Sequence, residues 1–145
     1  MDIKSAFRLL SINPADFDLL GIKIAQKYYI DKCLPMGCSL SCKVFEECAT
    51  CLQWIVKQRS GLSTIDHYLD DFISAGKNYK SCVELMNTFK PIGQEVGVPL
   101  AEDKSFGPIY KLVFLGLEID TVSQMASVPE VKSAELSTLL QEMLG

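Results

Sequence analysis

The stretch Ile65-Asp66-His67-Tyr68-Leu69-Asp70-Asp71-Phe72-Ile73-Ser74-Ala75-Gly76 constrains the fold of this chain most. Tyr68, Leu69, Phe72 and Ile73 favour strands, whereas the adjacent Asp70 and Asp71 favour a tight turn. The shortest structure that satisfies both is a β-hairpin with the two carboxylates at its tip. Like charges side by side repel, so a stable protein keeps them near water, near a cation, or apart. On these residues alone two readings stay open. One is a solvated Asp-Asp turn. The other is an oxygen site for a hard divalent cation, since magnesium uses one or two protein carboxylates together with substrate phosphates.

The rest of the chain alternates strands and helices around that hairpin. Asp2 to Arg8 reads as the end of a strand. Asn13 followed by Pro14 is an N-cap with proline at the first helical position, which predicts a short helix. Leu19–Ile24 and Tyr28–Ile30 read as two strands joined around Ala25-Gln26-Lys27. Leu34-Pro35-Met36-Gly37 is a loop. Ser39 to Arg59 is the longest helical pattern. Its apolar stripe is Leu40, Val44, Phe45, Cys48, Cys51, Leu52, Ile55 and Val56, and Gly61 ends it. Asn78 caps a second helix carrying Cys82, Leu85, Met86 and Phe89, with Pro91 as a break or kink and Gly97 as its close. Leu112 to Asp120 reads as one strand with a partner near Met125–Val128, and Pro129 begins a last helix. Antiparallel strands interleaved with helices predict an α+β sandwich in which two helices cover one face of a sheet.

Composition narrows the function classes. The 145 residues suffice for one domain or part of a larger one. No apolar run approaches the roughly 20 residues that cross a bilayer, and Met1-Asp2-Ile3-Lys4 lacks signal-peptide character. A reducing setting, cytoplasmic or nuclear and without membrane partners, is expected. The net charge of −4 argues against a self-sufficient nucleic-acid binder, and only Arg8 and Arg59 among 14 basic residues are arginines. Six cysteines raise the question of zinc. The pairs Cys38/Cys42 and Cys48/Cys51 fall on one straight helix, well over a turn apart, which does not suit one tetrahedral site. They read instead as small buried thiols on a core helix.

Three further marks stand in order around Tyr68-Leu69-Asp70-Asp71: Asp2-Ile3-Lys4-Ser5-Ala6-Phe7, Leu34-Pro35-Met36-Gly37 at the head of the long helix, and Phe114-Leu115-Gly116 preceded by Lys104. In this order they resemble the motifs of the reverse transcriptase (RNA-directed DNA polymerase) palm. The pattern is most like retrotransposon and LTR-retroelement polymerases, in particular the DIRS-type group that encodes a tyrosine recombinase. The resemblance implies a palm over residues 1–128, beginning at the first catalytic aspartate, and the first helix of a thumb or connection over 129–145.

The resemblance also implies roles. Asp2 and Asp70, completed by Asp71, would hold two Mg²⁺ ions roughly 3.5–4 Å apart, with Mn²⁺ as an alternative. The Ile3 carbonyl would add an oxygen. Phe7 stands where this family places an aromatic gate against a ribose 2′-hydroxyl; its plain alternative is a core phenylalanine. Met36 and Gly37 would lie beside the nucleotide sugar and templating base. Many viral relatives have glutamine where Met36 stands, and methionine offers no strong hydrogen bond there. Lys104 would protonate the leaving pyrophosphate. Tyr68 would pack under the active site or touch the primer, and Leu115 and Gly116 would form the primer grip. His67, the only histidine, is expected to point away from the metals.

The implied partners of the complete enzyme are an RNA or DNA template-primer and deoxynucleoside triphosphates. The fingers, most of the thumb and an RNase H segment have no counterpart in these residues, so the expectation is a polymerase fragment inactive alone. The alternative is a non-catalytic retroelement remnant or binding module.

Overall fold

The computed structural model describes residues 1–144. They form two compact units, Met1–Gly107 and Pro108–Gly145. The last residue of the second unit, with the end of the expected 129–145 segment, lies outside the described residues.

In the first unit the hairpin forms as the sequence predicts. Strands β3 (Ile65–Tyr68) and β4 (Asp71–Ser74) pair antiparallel, with His67 opposite Phe72 and Tyr68 opposite Asp71. Opposed residues share a face and neighbours alternate. One face therefore carries Ile65, His67 and Phe72; the other carries Asp66, Tyr68, Asp71 and Ile73. Single bridges extend this ladder. Asp2 pairs with Asp71, and Ile3 pairs with Leu100. The segment of Asp2 and Ile3 thus stands between β4 on one side and Leu100 on the other.

Two helices cover the apolar face. Helix α1 (Ser39–Ser60) buries Phe45, Ala49, Leu52 and Val56, and helix α2 (Tyr79–Glu95) buries Leu85, Phe89 and Ile92. With Ile3, Ala6, Leu34, Ile65 and Phe72 they make one core. Phe72 and Phe89 meet edge to face at 5.1 Å, an arrangement the ring quadrupoles favour. Asn78 and Ser81 form a reciprocal capping box at the start of α2. Arg59 and Glu95 form a two-pronged ion pair between the helices. The α+β arrangement with both helices on one sheet face is the one predicted.

Several local expectations are corrected. Residues 4–8 are not strand: Ser5 takes φ 55°, which breaks the extended run, and Ala6–Leu9 is a 3₁₀ helix that buries Ala6. Leu19 and Leu20 end the 3₁₀ helix Pro14–Leu20, so β1 is only Gly21–Ile24, paired with β2 (Lys27–Ile30). Pro91 lies inside α2 and does not end it; Ile92 and Gly93 are still buried beyond it. The face of α1 is rotated from the predicted stripe. Ser41, Ala49 and Gln53 are buried, while Leu40, Cys48 and Cys51 are exposed. The cysteines are therefore not core thiols: Cys38 and Cys42 are also exposed, and Cys33 and Cys82 are half-buried. Trp54 lies on the exposed side of α1 as well.

The second unit is a three-stranded antiparallel sheet, β5 (Lys111–Phe114), β6 (Leu117–Asp120) and β7 (Met125–Ser127), followed by α3 (Glu130–Leu144). The single strand expected over 112–120 is instead a hairpin. Leu115 and Gly116 at φ 49° and 81° make its two-residue turn, a geometry with two positive φ angles that matches strand twist. Leu115 is not one of the usual turn formers, so the apolar run hid the reversal. No residue of α3 is buried, and Val131, Leu136, Leu139, Leu140 and Met143 are exposed.

Phe89 is fully buried against Phe72, so Phe89→Ala is expected to cost about 3–5 kcal/mol of unfolding free energy in urea, followed by circular dichroism. Trp54→Ala, on the solvent side, should change it by less than about 1 kcal/mol. Equal losses at the two positions would contradict this placement of the core.

Candidate active site

The register of the hairpin decides which side chains can act together. Because Asp2 pairs with Asp71, both stand on the face away from the helices, and Ile3 points into the core. Backbone bonds fix this contact. Phe72 N–H donates to the Met1 carbonyl at 2.7 Å, and Ile3 N–H donates to the Asp70 carbonyl at 3.1 Å. On the other side Ala101 N–H donates to the Asp2 carbonyl at 2.9 Å. The structure thus brings Asp2, Asp70 and Asp71, the expected carboxylate set, to one end of one sheet.

Electrostatics registers the crowding. Asp71 holds its proton above the ordinary carboxylate range, first because it is partly removed from water, then because the Asp70 and Asp2 charges oppose its own. Lys104 Nζ lies 3.4 Å from Asp2 Oδ2, with the Asp2 side chain only 16% exposed. The lysine expected near departing phosphate is therefore beside the carboxylates, on the short 3₁₀ turn Glu102–Lys104. The donor set is all oxygen and anionic, which suits a hard cation. Among the described residues, however, no three His, Cys, Asp or Glu side chains are gathered at metal-binding geometry.

The other expected residues fall in three places. The Phe7 ring leans on Phe45 of α1 at 5.3 Å between centroids, half-buried at the edge of the core. It is a phenylalanine packed against the core, on the segment that also carries Asp2. Met36 is 76% exposed in the loop before α1, and Gly37 takes φ 84° with open space where a Cβ would stand. Tyr68 is 60% exposed and directly opposite Asp71. Leu115 and Gly116 form the β5–β6 turn of the second unit, and Leu115 is exposed. His67 stands on the opposite face from Asp71, as expected, with its side chain 5% exposed.

Two residues escaped the sequence reading. Glu46 Oε2 accepts from Leu69 N–H at 3.2 Å, and its Oε1 lies 3.2 Å from His67 Nε2. Gln53 Nε2 donates to the Ile65 carbonyl at 2.7 Å and to Asp66 Oδ1 at 3.1 Å. Glu46 and Gln53 are seven residues apart, two turns on one side of α1. The available signal was this polar pair flanking the apolar stripe at helical spacing. At the head of the same helix, the Ser41 and Leu40 backbone N–H groups hold the Cys38 thiol below its ordinary range.

This fold, two helices on an antiparallel sheet with carboxylates at a hairpin tip, is that of the polymerase portion of reverse transcriptases. The foamy viral protease-reverse transcriptase in complex with RNA/DNA hybrid superposes with TM-score 0.80 at 20% identity, over 99% of this chain and 20% of that chain. The same enzyme in complex with dsDNA gives TM-score 0.79 at 19% identity, over 100% and 30%. The family model for reverse transcriptase (RNA-dependent DNA polymerase) matches residues 1–119, and the chain belongs to that family. Protein P of duck hepatitis B virus (strain China) is 27% identical over 144 residues, 99% of this chain and 18% of the relative. Protein P of heron hepatitis B virus is 25% identical over the same share of each. The chain thus spans 18% of the length of these curated relatives.

The crowding at Asp71 has a testable sign. A carboxyl whose folded proton affinity is raised keeps its proton in the folded state after the unfolded chain has lost it. Stability therefore falls as pH rises from the unfolded value of 3.8 through the raised one, and the penalty persists at neutral pH. Asp71→Asn should raise Tm at pH 7, with the gap from wild type closing below about pH 4. A gap of opposite sign, or one independent of pH, would contradict the raised proton affinity that burial and the neighbouring charges give Asp71.

Proposed function

We propose that this chain supplies the nucleotidyl-transfer centre of an RNA-directed DNA polymerase, adding deoxynucleotides to a primer 3′-hydroxyl on an RNA or DNA template. The observation that carries this is the Asp2–Asp71 bridge with the Ile3–Asp70 hydrogen bond, which aligns three acidic residues in a chain of this family. Asp2, Asp70 and Asp71 would hold Mg²⁺, or Mn²⁺, with the Ile3 carbonyl as a further oxygen. When bound, the cations supply the positive charge that phosphoryl transfer needs.

The chain's own residues do the rest of the work in this reading. Lys104 holds a proton at Nζ beside the carboxylates, where it balances Asp2 and is available to departing pyrophosphate. Phe7, stiffened by Phe45, presents a ring that crowds a ribose 2′-hydroxyl. Gly37 keeps its loop free of side-chain bulk where sugar and templating base would pass, and exposed Met36 offers apolar contact only. Tyr68 lies beside Asp71 for the primer end. In the second unit the exposed Leu115-Gly116 turn is the candidate primer grip.

The domain reading that accompanies this is a palm over 1–128 and a thumb or connection helix from 129. The motif order favours a DIRS-type retroelement origin, while the curated relatives quoted are viral. A cytoplasmic or nuclear setting completes it. The non-catalytic module is the competing outcome.

Mn²⁺ binding, followed by electron paramagnetic resonance of the free ion, tests the centre directly. Asp70→Asn should weaken binding at least about 10-fold, the loss of one charged ligand being worth at least 1.4 kcal/mol. It should also abolish Mg²⁺-dependent primer extension by the polymerase that contains this segment. Wild type that binds no Mn²⁺, or extension that survives Asp70→Asn, would reject the centre.

A further inference from the structure

The turn that carries the carboxylates is strained, and one side chain outside the expected set holds it. Leu69 is the first of the two residues that join β3 to β4 and takes φ 52°, a left-handed backbone that a branched-chain residue adopts at a cost. Its N–H points away from the β3–β4 ladder and is received by Glu46 Oε2 at 3.2 Å. The other oxygen of Glu46 lies 3.2 Å from His67 Nε2. Both ring nitrogens of His67 are buried and have no hydrogen bond of good geometry, and a carboxylate oxygen of Glu46 faces Nε2. The His67 ring stacks on its cross-strand neighbour Phe72 at 5.1 Å and 20°. Glu46 therefore reaches the turn by its backbone and the strand pair by His67.

We propose that Glu46 of α1 is a positioning residue for Asp70 and Asp71: it clamps Leu69 in the left-handed conformation while the Ile3 N–H clamps the Asp70 carbonyl from the other side. Two consecutive residues of the turn are then pinned by different elements, one by α1 and one by the segment that carries Asp2. The helix entered through the Met36-Gly37 loop thereby also sets the carboxylates. The role assigned to Asp70 and Asp71 rests on the metal-centre reading above; the clamp itself does not.

Amide hydrogen exchange of Leu69 in the metal-free chain reads the clamp alone. Glu46→Ala should speed it at least about 10-fold, while Glu46→Gln, which keeps an acceptor oxygen, should stay near wild type. Unchanged exchange in Glu46→Ala would overturn the proposal. Mn²⁺ affinity reads its consequence. Glu46→Ala should weaken binding several-fold, and adding Leu69→Gly should restore most of it, because glycine takes positive φ without strain. A loss that Leu69→Gly does not repair would assign Glu46 to general packing and overturn the positioning role. If wild type binds no Mn²⁺, the metal centre fails while the exchange result still decides the clamp.

Discussion

The antiparallel contact between residues 1–3 and the start of β4 is the interaction on which the rest depends. It sets a register, and register sets faces. Asp2 stands beside Asp71 on the outer side because Ile3 stands with Phe72 on the inner side. A slip of one residue would bury the carboxylate and expose the isoleucine. Magnitudes show which effect wins. Burying an isoleucine side chain is worth about 1.5–3 kcal/mol, whereas two charges about 4 Å apart in water repel by about 1 kcal/mol. The apolar face therefore brings the acids together against their own repulsion, and Lys104 relieves part of it. The raised proton affinity of Asp71 follows first from its partial removal from water and then from what remains of the Asp70 and Asp2 repulsion.

Helix α1 is the second organiser. Phe45, Ala49, Leu52 and Val56 seat it on the sheet, and the polar residues beside that stripe grip the hairpin. Gln53 holds the first residue of β3 through the Ile65 carbonyl, and Glu46 holds the turn at Leu69. Core packing and site geometry are thus carried by adjacent faces of one helix. A change in the tilt of α1 would reach the Met36-Gly37 loop and the carboxylates together.

The hairpin was legible from its strand formers around an Asp-Asp turn, the long helix from its length and Gly61, the second helix from its Asn78 cap, and the final helix from its position after Pro129. So was the grouping of Asp2 with Asp70 and Asp71, though only through the order of the motifs, since Asp70 lies 68 positions after Asp2 in sequence. What escaped had physical causes. Pro91 lacks an N–H, yet burial of Ile92 and Gly93 holds α2 together through it. The Leu115-Gly116 turn lies in a run whose apolar character reads as one strand. The apolar stripe of α1 was misphased because cysteine counts as apolar, and the helix buries Ser41, Ala49 and Gln53 instead. Glu46 gave only the faint signal of its spacing from Gln53, because a glutamate on a helix ordinarily reads as a solvated surface residue.

The most direct test of the central claim is an anomalous-scattering map from crystals of this chain grown with Mn²⁺. A peak is expected between the carboxylates of Asp2, Asp70 and Asp71, with Lys104 Nζ displaced from Asp2. A Mn²⁺ peak elsewhere, or a map with the Asp2–Lys104 pair intact and no peak between the three aspartates, would contradict it.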